Sequence, residues 1–157
     1  MPRHAIKLLA VLTLTWFAVA LTAAPPDLSG NWKANLAKSD FGPMPAPSSL
    51  ATKIEHKEPS IKMSTTLVGE QGEMTFDLKF MTDGSETTNN FGPVVMKSKA
   101  RWDGRTLVIE TKGSTDNGDI SALGKWSLSE DGKTITETSN FTGPQGEMVL
   151  KTVYEKQ

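Results

Sequence analysis

Few side chains in this sequence could act as nucleophiles, general bases or metal ligands. The chain has no cysteine and two histidines, and His56 is the only histidine after residue 23. Thiol catalysis, zinc–thiolate sites and multi-histidine metal sites are therefore excluded for that part of the chain. A serine–histidine–acid triad would have to use His56, beside the turn sequence Glu58-Pro59-Ser60. A base at a turn lacks the buried carboxylate that fixes its tautomer, so we expect an exposed or edge histidine.

The carboxylates do not define an active site either. Glu73, Asp77 and Glu110 occupy outward positions of their segments, and no acid is assigned to an apolar inner face, where its pKa would be raised. A glycosidase-type carboxylate pair depends on separation in space and stays open. The segment Asp-Asn-Gly-Asp at 116–119 has turn chemistry rather than the ligand spacing of a calcium loop. We predict no enzyme, no catalytic residue, no metal and no cofactor.

Alternating residues predict the elements that carry these side chains. From Glu73 to Phe80, apolar residues at 74, 76, 78 and 80 alternate with polar ones, as in a strand with one buried face. Four further segments show the same period, and their inner faces begin at Ile61, Val94, Ile120 and Met148. After residue 23, no stretch has a convincing helical period.

Turn sequences separate these segments. The pairs at 83–84, 103–104, 117–118 and 131–132 place Asp or Asn before Gly, as tight hairpins require. Together with the glycine-bounded links at 69–72 and 143–146, they indicate nine or ten short strands joined in sequence order. A long meander usually closes on itself and so removes its edges. The predicted fold is all-β, an antiparallel up-and-down (meander) β-barrel of 8–10 strands.

The first residues have the pattern of a secretory signal peptide. Arg3 and Lys7 form a short positive start before an apolar run from Leu8 to Leu21, which small residues follow. The run is shorter than the roughly 20 residues needed to span a bilayer. We predict a signal peptide at 1–23 and a single domain at 24–157. The protein is expected to be exported, periplasmic or extracellular, with no stable membrane anchor after cleavage.

The charge distribution argues against two classes of partner. The net charge is −1, and it becomes −3 without Arg3 and Lys7, because no acid lies among residues 1–23. Acidic and basic residues alternate without a basic run, so neither nucleic acid nor an anionic membrane is an expected partner. Without cysteine, the domain must be stabilised by core burial and sheet pairing.

The segment 27–32, Asp-Leu-Ser-Gly-Asn-Trp, resembles the opening Gly-x-Trp signature of lipocalins and related calycins. The resemblance implies a barrel whose closed end is plugged by Trp32. Through Asn35 and the segment 38–45, the chain is also similar to exported bacterial lipocalin-like proteins of unknown function. It departs from lipocalins in having no arginine near the last strand, where Lys151 is the candidate substitute, and no C-terminal helix. Ten strands would fit a fatty-acid-binding-protein barrel, but the helical lid of that family is missing.

The inner faces mix large side chains with small or hydroxylated ones, which can leave room in a barrel for one small ligand. The leading hypothesis is an exported barrel that binds a small hydrophobic or amphipathic molecule. The residues predicted to line its pocket are Trp32, Met74, Phe76, Ala100, Trp102, Ala122 and Trp126.

The proline-rich connection 36–49 is expected at one barrel end, where Phe41 and Met44 lie. The rival hypothesis is a filled barrel that acts through its surface. Such a barrel would be a non-catalytic inhibitor, envelope-assembly factor or interaction module, and its protein partner is unknown.

Overall fold

The computed structural model describes residues 24–157, and the predicted signal peptide lies outside the described residues. Ten strands follow one another: β1 (Gly30–Ala34), β2 (Ser49–Lys57), β3 (Ser60–Gly69), β4 (Gly72–Met81), β5 (Thr87–Phe91), β6 (Val94–Asp103), β7 (Thr106–Thr115), β8 (Gly118–Leu128), β9 (Thr134–Gly143) and β10 (Gly146–Lys156). One turn of 3₁₀ helix, Leu36–Lys38, lies between β1 and β2. Within residues 24–157, no helix is long and apolar enough to cross a membrane.

The strands form one antiparallel sheet that curves into a nearly closed barrel. Their order is β4-β3-β2-β1-β10-β9-β8-β7-β6-β5, so chain neighbours pair throughout and β1 joins β10. The predicted all-β, up-and-down barrel is therefore confirmed, with ten strands. The sequence pattern did not locate β5, because Thr87–Phe91 lacks the alternation of apolar and polar residues.

Side chains rather than a backbone ladder close the gap between the edge strands β4 and β5. The Lys79 amide donates to Oδ1 of Asn89 at 2.7 Å, and Nδ2 of Asn89 donates to the Lys79 carbonyl at 3.0 Å. The rings of Phe76 and Phe91 pack across the same gap, with centroids 4.5 Å apart. Asn89 thus pairs with both backbone groups of Lys79, as a neighbouring strand would.

The two ends of the barrel differ in their connections. One end carries the start of β1 and the turns that follow β2, β4, β6 and β8, whereas the other carries the 35–48 connection and the turns after β3, β5, β7 and β9. Gly104 and Gly132 take left-handed φ values of 59° and 69° in turns of the first end. This conformation explains why the sequence places glycine after aspartate there.

The hydrophobic core fills the half of the barrel that has the β1 start. The side chains buried most completely there are Leu28, Trp32, Ile54, Ile61, Leu107 and Ile135, each at most 2% exposed. At the opposite end, Met74 is on the inner face opposite Leu67 and is nevertheless 50% exposed. We therefore call the first end the closed end and the other the open end.

Candidate functional site

A cavity of about 220 Å³ lies inside the barrel, between the closed-end core and the open end. Its apolar lining consists of Met63, Leu78, Phe80, Phe91, Met96, Ile109, Ala122, Gly124 and Trp126. Five polar side chains also line it, namely Asn89, Ser98, Thr111, Glu137 and Ser139. A mostly apolar pocket with a few convergent polar groups is the usual form of a small-molecule site.

Glu137 is the ionisable side chain among the residues that line this cavity. It lies on β9 between Trp126 of β8 and Thr152 of β10, which are its partners in register. The hydroxyl of Tyr154 donates to its Oε2 over 3.5 Å. Burial raises the pKa of Glu137 to about 7, and hydrogen bonds from Trp126 and Tyr154 offset the effect only in part. The expectation that no acid occupies an inner face was wrong.

The alternation of β9 was the signal that could have found Glu137. Ile135, Glu137, Ser139 and Phe141 share one face, as the pairing of Ile135 with Tyr154 and Leu128 shows. Because the face is half polar, it lacks the apolar pattern that marked the other strands. The Trp126–Tyr154 stack, with ring centroids 5.8 Å apart, forms the apolar side of the Glu137 environment.

The neutral polar groups of the cavity are largely engaged with the protein itself. The hydroxyls of Ser98 and Thr111 share a hydrogen bond of 3.0 Å, and Asn89 is held by the backbone of Lys79. Buried polar groups that are already paired gain little from a ligand. Glu137 is therefore the polar group best placed to contact a bound molecule.

The connection after the 3₁₀ helix forms one side of the open end. A second, more peripheral cavity of about 300 Å³ lies between its Phe41–Pro47 portion and the β3–β4 turn, and Leu67 and Met74 also line it. Phe41 packs against the core, whereas Met44 is 44% exposed. The connection thus borders the mouth of the barrel and does not cover it as a helical lid would.

At the closed end, His56 is not the exposed or edge histidine expected from the sequence. Its side chain is 4% exposed, and Nδ1 accepts the Leu28 amide at 3.2 Å. The ring hydrogen is therefore on Nε2, which donates to Oε1 of Glu58 at 2.8 Å. The segment before β1 packs over the β2–β3 turn and buries the His56 side chain. The sequence pattern did not show this contact.

Glu58 connects this histidine to Trp102. The Trp102 indole donates to Oε1 of Glu58 at 2.7 Å, and the Thr82 hydroxyl donates to Oε2. Partial burial raises the pKa of Glu58, but hydrogen bonds from Thr82, His56 and Trp102 together hold it below its usual value. Within residues 24–157 no hydroxyl group bonds to the histidine ring. The hydrogen bonds of the cluster connect the segment before β1, the β2–β3 turn and β6 at the closed end.

The residues predicted to line a pocket fall into three places. Ala122 and Trp126 line the central cavity. Met74 and Phe76 lie at the open end, and Met74 borders the peripheral cavity. Ala100 and Trp32, each 1% exposed, belong to the core, and Trp102 packs against it. Contact of any of these residues with a ligand stays a prediction.

Comparisons with known proteins bear on the fold. No protein-family model matches the chain, and no curated protein matches it significantly. Among solved structures, secretory abundant heat soluble protein 4 from Ramazzottius varieornatus has a TM-score of 0.58 at 17% identity, covering 83% of this chain and 94% of that chain. Zebrafish ileal bile acid-binding protein complexed with cholic acid has a TM-score of 0.55 at 19% identity, covering 83% and 98%.

A second secretory abundant heat soluble protein from Ramazzottius varieornatus gives a TM-score of 0.55 at 15% identity, covering 82% of this chain and 94% of that chain. The chain therefore shares the up-and-down β-barrel fold of these structures. At these identities the likeness concerns the path of the backbone.

The closed end of this barrel is plugged by Trp32, as the Gly-x-Trp resemblance implied. The indole Nε1 donates to the Leu28 carbonyl at 2.9 Å, and Nζ of Lys156 lies 5.2 Å from the ring centroid. The basic residue over the tryptophan is thus Lys156 rather than Lys151, whose backbone instead pairs with Asp40. Gly30, at φ 141°, allows this approach, because a Cβ there would lie 2.8 Å from Cε of Lys156.

Proposed function

We propose that this protein is a non-catalytic carrier that binds one small amphipathic molecule inside its barrel. The observation that supports this most directly is the central cavity of about 220 Å³, with its apolar wall and the single carboxyl group of Glu137. Barrels of this size enclose either packed side chains or one small ligand. Here the core packing ends at the layer of Trp126 and Ile109, and the space above it is open.

Two further observations support the proposal. The peripheral cavity at Phe41, Met44 and Met74 offers an apolar approach to the open end, and methionine side chains adapt readily to different ligands. A barrel of the same fold, the zebrafish bile acid-binding protein, was solved with cholic acid. The proposal includes the exported location and the signal peptide at 1–23, for which the apolar run before residue 23 is the support.

Binding of N-phenyl-1-naphthylamine, a neutral dye that fluoresces in apolar surroundings, tests the central cavity. The unmodified protein is expected to bind the dye saturably. Ala122→Trp is expected to lose at least tenfold in dye affinity, because the new ring would occupy the cavity. Ser121→Trp is the matched control, since Ser121 is next to Ala122 on strand β8 and its side chain faces outward. Its affinity should equal that of the unmodified protein.

Equal dye affinity in both variants would contradict the proposal, provided that their melting temperatures match that of the parent protein. Absence of dye binding in the parent, together with no uptake from a panel of lipids and aromatic compounds, would contradict it as well. The rival hypothesis of a filled barrel acting through its surface would then apply. A protein partner would be sought at the connection that contains Phe41 and Met44.

A further inference from the structure

The charged lining of the central cavity suggests which kind of head group the ligand carries. Resting on the proposed function, we propose that the barrel selects amphipathic molecules with a positively charged amine, which ion-pairs with Glu137 inside the cavity. Among the residues that line the cavity, Glu137 is an acid and none is lysine, arginine or histidine. A carboxylate ligand would find no cation there to neutralise it.

The walls around Glu137 carry no compensating charge. In register it faces Trp126 on β8 and Thr152 on β10, and Tyr154, one inward position further along β10, is the titratable group that contacts it. The opposite wall, formed by β5, β6 and β7, presents Asn89, Ser98 and Thr111 to the cavity. In the described part of the chain, Glu137 takes part in no salt bridge.

Inward or nearby bases do exist, but they lie below the cavity, at the closed end. Nζ of Lys156 lies over the ring of Trp32, and the ring of His56 is fixed between the Leu28 amide and Glu58. Neither residue lines the cavity. They therefore leave the charge of Glu137 available to a ligand.

The chemistry of Glu137 fits an incoming amine. Burial raises the pKa of this carboxyl to about 7, because the charged form lacks the solvation that water would provide. A nearby cation favours the charged form and reverses this effect. An ammonium group also donates hydrogen bonds, and charge-assisted bonds of this kind are about twice as strong as neutral ones. The 3.5 Å bond from Tyr154 is at the long limit for a hydrogen bond, so an ammonium group would be a stronger donor to this carboxylate.

Three ligands with the same chain isolate the head group: octylamine, octanol and octanoate. Isothermal titration calorimetry at pH 8, where the amine is charged, should show octylamine binding at least tenfold more tightly than octanoate, with octanol in between. Glu137→Gln should remove the advantage of octylamine over octanol and improve octanoate. Glu110→Gln is the matched control, because it removes an outward, exposed carboxylate of β7 and should leave the order unchanged.

The pH dependence supplies a second, independent readout. If the amine pairs with ionised Glu137, whose pKa is about 7, the affinity for octylamine should rise about tenfold between pH 6 and pH 8. The octanol affinity should change by less than twofold. In Glu137→Gln, the octylamine affinity should be equally flat.

The outcomes separate this inference from the proposed function. Octanoate binding as tightly as octylamine, or an octylamine preference that survives Glu137→Gln, would overturn the amine inference and leave a ligand-binding barrel. Binding of none of the three compounds, together with no binding of the neutral dye, would overturn the proposed function itself. Dye binding with no binding of octylamine would overturn the amine inference alone.

Discussion

Replacing Glu137 with glutamine should change how the stability of the barrel depends on pH. The pKa of this carboxyl rises from 4.5 to about 7 on folding because burial disfavours its charge. Between these values the folded chain holds a proton that the unfolded chain has lost, so the free energy of unfolding falls as the pH rises through the window from 4.5 to 7. Below pH 4.5 the destabilisation is absent, and above pH 7 it is complete.

The magnitude follows from the shift. A difference of about 2.5 pKa units, at 1.36 kcal/mol each, corresponds to about 3 kcal/mol. Because the cavity opens toward solvent on one side, we expect the ionisation of Glu137 to lower the free energy of unfolding by about 2–3 kcal/mol. Glutamine has nearly the same shape and does not titrate. The free energy of unfolding of Glu137→Gln minus that of the parent should therefore increase by about 2–3 kcal/mol from pH 4.5 to pH 8.

Urea titrations at half-unit pH intervals, without ligand, measure this difference. The other carboxyl groups titrate in both proteins, among them Glu58 and Asp27 with their lowered pKa values, and they cancel in the subtraction. Ser139→Ala, a neutral change on the same strand, should give a difference that does not vary with pH. A similarly constant difference for Glu137→Gln would refute the argument that the cavity withholds solvation from this carboxyl.

Two further substitutions test the contacts that close the barrel. Asn89→Ala should lower the free energy of unfolding by about 2–3 kcal/mol and speed hydrogen exchange of the Lys79 amide, because two backbone groups lose their partner; the adjacent exposed Asn90→Ala should stay within about 0.5 kcal/mol of the parent. Trp32→Phe should cost about 2–3 kcal/mol in urea unfolding, since the Leu28 carbonyl is left unpaired and ring volume is lost. Equal stability of variant and parent would refute either assignment.

Local chemistry was enough to predict the architecture from sequence. The alternation from Glu73 to Phe80 predicted β4 within a residue of its bounds, since a strand with one buried face must repeat every two residues. The Asp-Gly pairs at 103–104 and 131–132 predicted turns that the structure has, because glycine takes positive φ without strain. Short links in sequence order then left few topologies other than an up-and-down sheet.

The side chains that close the barrel and the burial of polar residues could not be predicted in the same way. The role of Asn89 depends on where β5 lies relative to β4, which no local pattern specifies. The ring of His56 is held by the amide of Leu28, which lies 28 residues earlier in the chain. Likewise Ala100 and Ala122 occupy similar inner positions of their strands, yet one lies in the core and the other lines the cavity. The difference depends on how far each residue lies from the closed end of the barrel. That distance depends on the register of all ten strands.

Stability and binding are coupled at Glu137. Leucine at this position would extend the core upward from Ile135 and remove a carboxyl whose ionisation destabilises the folded chain. A cationic ligand lowers the free-energy cost of ionising Glu137 in the folded chain, because its positive charge stabilises the carboxylate. The thermal stabilisation by octylamine should therefore be larger at pH 8 than at pH 6, whereas that by octanol should be the same at both. This coupling gives an inner carboxylate a physical role that a filled core would not require.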